Sequence, residues 1–204
     1  MHESGDEAVR RGAVSELVNR AERLAGSMLA TEPERQRHSA CVAARAEFLA
    51  VAVEPVAVPV LLAAAWLHDV GYAAAARVTG FHPLDGARWL RAEGWDEVVC
   101  GLVAHHCGSR FVAAARGLTD ELAAFPYVED PVADALTVAD QTIGPDGAPM
   151  TIDDRMRDML ARHGPGSANA QAHRAREPYL RAAATRVAVR LRAAGVPSDQ
   201  HRIT

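Results

Sequence analysis

The chain has 204 residues, 49% of them hydrophobic and only 5% aromatic, with a formal net charge of -4. That length suits one domain with a sizeable core. The acidic balance argues against broad binding to double-stranded nucleic acid or to an anionic membrane. All 22 basic residues are arginine. Arginine is the better bidentate phosphate ligand, but a compositional bias toward Arg and Ala gives the same count. Cys41, Cys100 and Cys107 show no paired metal or disulfide spacing, and the opening Met-His-Glu-Ser-Gly-Asp carries no targeting pattern. The expected location is therefore the cytoplasm.

Alanine is abundant and alternation of β-branched residues is scarce, so the expected fold is all-α, with about eight to ten helices in one domain spanning 1–204. Residues 1–5 read as loose. Asp6 to Leu29 has helical periodicity in Val9, Ala13, Val14, Leu17, Val18, Ala21 and Leu24. Thr31 is a candidate N-cap for a helix over about 33–51, with Pro33 just inside and Glu34 in its first turn. His38 lies one turn after Glu34 on the same face. Taken alone, His38 is a solvated histidine or a ligand. Arg35, Arg37 and Arg45 nearby are a solvated face from which one could reach a phosphate.

The run Val56–Leu67 is apolar and ends abruptly at His68-Asp69. At 12 residues it is too short to cross a membrane and reads as a buried helix opened by Pro59. Gly71 is placed to stop it. A His and a carboxylate at the end of a buried helix need partners: a divalent metal, or each other. Pro83 opens the next helix and puts His82 near its N-cap, where capping is an equally good reading. Asp96–Ala104 forms another apolar helix ending in His105-His106. A helix C-terminus favours a cation, whether a metal or a protonated His.

Phe111–Phe125 reads as one or two short helices and 132–143 as an apolar helix holding Asp140. That carboxylate is a solvent-face residue or a buried ligand. Gly144-Pro145-Asp146-Gly147 reads as a plain turn, with a metal- or phosphate-binding loop as the alternative. Thr151 with Asp154 caps a helix to His163. A last helix over about 170–194 carries Arg174, Arg176 and Arg181, all read as solvent-facing. His2, His163, His173 and His201 have no apolar context and read as surface residues.

The set Arg-His38-Ser, Ala-Trp-Leu-His68-Asp69-Val-Gly and Val-Ala-Asp140 strongly resembles the HD superfamily of metal-dependent phosphohydrolases over roughly 33–143. The resemblance implies an all-helical bundle in which these residues hold a divalent metal, with the helices of 151–195 packed on that core. His82-Pro-Leu-Asp-Gly-Ala and Val-Ala-His105-His106 resemble the dinuclear branch, which implies that His82 and His105 hold a second ion and that Asp69 bridges. The implied metal set is His38, His68, Asp69, His82, His105 and Asp140. In a related group of phosphodiesterases the second His of the doublet and a Glu before the first His are also ligands; His106 and Glu34 occupy those places. The Gly-Tyr-Pro motif of that group is absent.

Imidazole with few carboxylates suits Fe, Mn, Co, Ni or Zn. Two such ions about 3.5–4 Å apart ionise a water and neutralise phosphate oxygens. The implied catalytic residues are Asp69 and His106, and Arg37 and Arg110 are candidates for the substrate phosphate. The expected partner is a small phosphorylated substrate such as a nucleotide. Two alternatives stand beside this reading. A branch of the same superfamily uses the six ligands as a di-iron oxygenase, but with a substrate-binding Lys, which this chain lacks. The other is a non-catalytic nucleotide-binding module, which need not keep all six ligands.

Overall fold

The structure is a computed structural model that describes residues 3–197, with side chains from Glu16 onward. His2 and His201 lie outside the described residues, as do the side chains of Val9, Ala13 and Val14. Ten α-helices are described: α1 (Glu3–Met28), α2 (Pro33–Leu49), α3 (Val58–Leu67), α4 (His82–Ala92), α5 (Glu97–His105), α6 (Ser109–Arg116), α7 (Thr119–Ala123), α8 (Pro131–Gln141), α9 (Ile152–His163) and α10 (Ala168–Ala193). No strand occurs among the described residues, and one isolated bridge joins Ile143 to Pro149. The all-α expectation holds.

Helix α3 is the axis of the bundle. It packs against α1, α2, α5 and α8. Leu61, Ala64 and Ala65 face a core shared with α2, α8 and α10, while Ala63 and Leu67 face a second core shared with α1, α4 and α5. A helix contacted on both sides must be apolar all round, which is what its sequence supplies. Leu61 and Leu67 are fully buried, each worth about 1.5–3 kcal/mol relative to exposure. Composition alone would let 55–72 or 97–116 cross a membrane, but 56% and 61% of those windows are buried inside the bundle.

The helix ends follow ordinary chemistry. Asp96, Asp130, Thr151 and Ser167 each accept a hydrogen bond from a first-turn amide, which opens α5, α8, α9 and α10. Two expectations need correction. Glu32, not Thr31, is the N-cap of α2, and it makes no side-chain cap bond; Pro33 alone sets that start. Gly71 does not stop α3, which ends at Leu67 with His68 as its C-cap. Gly71 is needed for close approach: a Cβ there would lie 2.0 Å from the His82 carbonyl oxygen and 2.6 Å from the Gly86 amide nitrogen. This contact seats the turn after Asp69 directly on the start of α4.

Candidate metal centre

Five helices deliver the site. His38 comes from the second turn of α2, His68-Asp69 from the end of α3, His82 from the start of α4, and His106 from just beyond α5. Asp140 enters from the last turn of α8. His38, His68, Asp69, His106 and Asp140 are all buried, while the His82 side chain keeps 23% exposure on the cavity side.

Three of the histidines are held the same way. His38 Nδ1 donates to the Gly144 carbonyl at 2.9 Å, His68 Nδ1 to Ala65 at 2.8 Å, and His106 Nδ1 to Val103 at 2.6 Å. A carbonyl only accepts, so each Nδ1 carries the proton; the Nε2 atoms of His68 and His106 turn lone pairs inward, while His38 also donates from Nε2 to Asp140, a proton that a metal would replace. His38 Nε2 sits 2.9 Å from Asp140 Oδ1. His82 Nε2 lies 3.3 Å from Asp69 Oδ1 and 3.3 Å from His106 Nε2. His68 Nε2 is 3.6 Å from Asp69 Oδ1 and 3.9 Å from Asp140 Oδ1, and it is buried without any hydrogen-bond partner.

A buried lone pair facing two carboxylates and other lone pairs is costly unless a cation sits between them. Ligand atoms of His38, His68 and Asp69 lie within 4.8 Å of one another, as do those of Asp69, His82 and His106. The donor set therefore fits metal ions, and Asp69 belongs to both groups.

The electrostatics agree. Burial alone would raise the Asp69 pKa, but His68, His82, His38 and Arg35 outweigh it and hold the carboxyl below its usual range. Asp140 is also held well below, against burial, chiefly by the bond from His38. Burial pushes His106 down to about 4, reinforced by His68 and opposed by the two carboxylates. Burial likewise holds His82 well below its ordinary value. His38 moves up, because its bond to Asp140 outweighs its burial.

The structure does not bring His105 into this cluster. Its Nε2 bonds the Phe125 carbonyl at 3.1 Å and its ring packs on Tyr127. His106 stands in its place. The reason is the turn: His105 is still on the helix, whereas His106 has left it, and Cys107 (φ 53°) and Gly108 (φ 66°) are left-handed. That kink throws consecutive rings to opposite sides. Glu34 is exposed and takes no part. Neither candidate phosphate arginine reaches the site. Arg37 is exposed, with its stem near Gly147. Arg110 packs over Phe111, Tyr127 and Tyr179, and bonds the Tyr127 hydroxyl and Glu129.

Arg35, one of the three arginines of which one could reach a phosphate, and several residues that sequence reasoning passed over build the surroundings. Arg35 Nη1 reaches Asp69 Oδ2 at 3.3 Å and its guanidinium lies over Tyr72, which in turn stacks on His82 at 4.2 Å. Cys107 Sγ, whose thiol is pushed well up by burial, donates to Asp140 Oδ2 at 2.6 Å, and Gln141 adds a second bond at 3.1 Å. These two occupy Oδ2 and leave Oδ1 to the histidines. Asp85 accepts the amides of Val78, Thr79 and Gly80 and so fastens the loop before α4. The Gly144 turn serves His38 rather than being a plain reversal.

The cluster floors a cavity of about 390 Å³. Its wall includes Arg176, which is buried rather than solvent-facing as read from the sequence, and His163, an exposed residue at the rim. The HD domain family model matches residues 35–155. The chain belongs to the HD domain family. Comparison with curated proteins and with solved structures gave no match. The HD match begins at Arg35, three residues before His38, and ends at Arg155 on α9. It therefore contains every residue of the cluster and leaves most of α9 and all of α10 outside. The HD fold carries metal-dependent hydrolase chemistry, which agrees with the donor set.

Proposed function

We propose that the protein is a cytoplasmic metal-dependent phosphohydrolase, cleaving a phosphate ester or anhydride of a nucleotide or similar small molecule. The observation that carries this reading is the buried, unpartnered His68 Nε2 facing Asp69 and Asp140. His38, His68, Asp69 and Asp140 would hold one divalent transition metal; Asp69, His82 and His106 would hold a second. Such a pair supplies Lewis acidity at a phosphoryl oxygen and a water acidic enough to attack near neutral pH.

The chain's own residues do the rest. Asp69 presents Oδ1 to His68 and His82, and its Oδ2 is steadied by Arg35, an arrangement suited to a bridging carboxylate. His106 is a ligand in this reading rather than a proton shuttle, because its Nδ1 is committed to Val103. Arg35 stands on the cavity side of Asp69 and is the nearest guanidinium for the scissile phosphoryl group. The cavity falls at the small-molecule end of ligand sites, which run from about 300 to 1,000 Å³.

The test compares wild type with Asp69→Ala for metal content, helicity, and hydrolysis of a nucleotide panel and an aryl phosphate. The variant should stay helical, lose at least one ion and lose hydrolysis. Unchanged hydrolysis removes Asp69 from the mechanism. No hydrolysis by metal-loaded wild type, together with substrate-dependent oxygen consumption, would replace the reading with an oxygenase.

A further inference from the structure

The cavity holds more positive charge than one phosphoryl group requires. Its wall contains Arg35, Arg116, Arg155, Arg162 and Arg176. Arg35 belongs to Asp69, and Arg116 is spent on the Thr79 and Gly80 carbonyls. The other three stand together on α9 and α10. Arg176 is only 8% exposed, yet no described carboxylate lies within ion-pair distance of it. Its Nε donates to the Cys107 carbonyl at 2.6 Å, and neither terminal nitrogen has a hydrogen-bond acceptor among the described residues. Arg155 is equally buried, and its Nε has no hydrogen-bond partner among the described residues. Two described carboxylates approach the group: Asp158, shared by Arg155 at 3.4 Å and Arg162 at 2.8 Å, and the metal-facing Asp140 at the limit of ion-pair distance from Arg155.

Arg155 Nη2 is also 4.0 Å from Asp140 Oδ1, so this wall begins beside the metal-facing carboxylates. With two divalent ions on Asp69 and Asp140, one dianionic phosphoryl group brings the centre close to neutral. The three arginines would still have only Asp158. Buried guanidinium groups without counter-ions are expensive and are explained when a ligand supplies the charge. Burial pulls the Arg176 pKa down, against Cys107 and Asp140, which raise it, and with Arg155, whose like charge lowers it further. Ala168 and Asn169 line the same wall, where the first-turn amides of α10 also favour an anion.

The geometry points to a second phosphoryl subsite: Arg155, Arg162 and Arg176 bind a phosphate of the substrate that is not cleaved, so the substrate carries two phosphoryl groups a short distance apart. This rests on the phosphohydrolase reading and assigns a role to the part of the chain beyond the HD match.

The test uses ligands that cannot be hydrolysed. Metal-loaded full-length protein is titrated calorimetrically with propane-1,3-bisphosphonate and with propylphosphonate. The bisphosphonate should bind at least about tenfold more tightly, since charge-assisted contacts of this kind are among the strong ones. The gap should shrink to under about threefold in Arg176→Gln and in Arg162→Gln. Arg162 keeps 35% side-chain exposure, so its variant should fold even if the Arg176 variant does not. A purely structural role for Arg176 would weaken both ligands equally and leave the gap. No gap in wild type, or a gap that survives both substitutions, overturns the subsite. Hydrolysis of an aryl phosphate without a gap sinks the subsite and spares the phosphohydrolase. An arginine-dependent gap with no hydrolysis of any ester does the reverse.

Discussion

Gly71→Ala is a one-methyl change that should disable the second metal position. The new Cβ would meet the His82 carbonyl oxygen at 2.0 Å, the Gly86 amide nitrogen at 2.6 Å and the His82 carbonyl carbon at 2.8 Å. Ordinary contact begins near 3.4 Å, so the turn and α4 must part by about 1.4 Å. All three neighbours are backbone, and no side chain can swing aside. His82 rides on that backbone, and its Nε2 now lies 3.3 Å from Asp69 Oδ1. Overpacking of this kind costs about 1–3 kcal/mol, and each kcal/mol lowers the melting temperature of a domain this size by about 2–4 °C. A displacement of about 1 Å at a reacting centre costs about 100-fold in rate. Thermal unfolding, metal content and hydrolysis are measured side by side. The variant should melt several degrees lower, hold fewer ions than wild type and lose about two orders of magnitude in rate. Wild-type melting with wild-type activity would refute the argument that Gly71 sets the seat of α4.

Four of the histidines, His82, His105, His106 and His163, have folded pKa values below the ordinary 6.5, and His38 alone is raised. A lowered histidine binds fewer protons folded than unfolded, so stability falls as pH drops from about 6.5 toward the folded values; the raised His38 opposes this but is outnumbered. Metal-free protein should therefore melt lower at pH 5 than at pH 7, and an equal or higher melting temperature at pH 5 would contradict the assignment. Arg37→Gln and Arg110→Gln should change KM less than about twofold, because both side chains stand outside the cavity. A tenfold rise in KM for either would put that residue back at the substrate.

The fold was largely legible. The apolar run ending at His68, the Thr151 cap, and Asp140 inside the α8 pattern each follow from local chemistry. What failed depends on turns and on depth. Helical periodicity carries no information past the end of α5, so nothing in it says whether His105 or His106 faces inward. The break in the helix at His105 and His106 decides that, and the left-handed Cys107 just after it, which lets the chain turn there, is not readable from residue type. Arg176 was legible but missed. It lies on the stripe Ala172, Arg176, Leu180, Ala183, Val187 and Leu191, at spacings of three and four, and every other member is buried and apolar. Arg35 was named with Arg37 and Arg45 as an arginine that could reach a phosphate, but its pairing with Asp69 was not read, although it lies one turn before His38 on the same face. Gly71 was read for its freedom of rotation when its missing side chain is what matters.

The central claim is that His106, not His105, completes a two-metal cluster around Asp69. Elemental analysis tests it directly, on protein purified without chelators or a metal-affinity tag, comparing wild type, His106→Ala and His105→Ala. The account predicts about two transition-metal ions per chain in wild type and in His105→Ala, and about one in His106→Ala. A metal-free wild type, or loss of an ion in His105→Ala with none lost in His106→Ala, would contradict it.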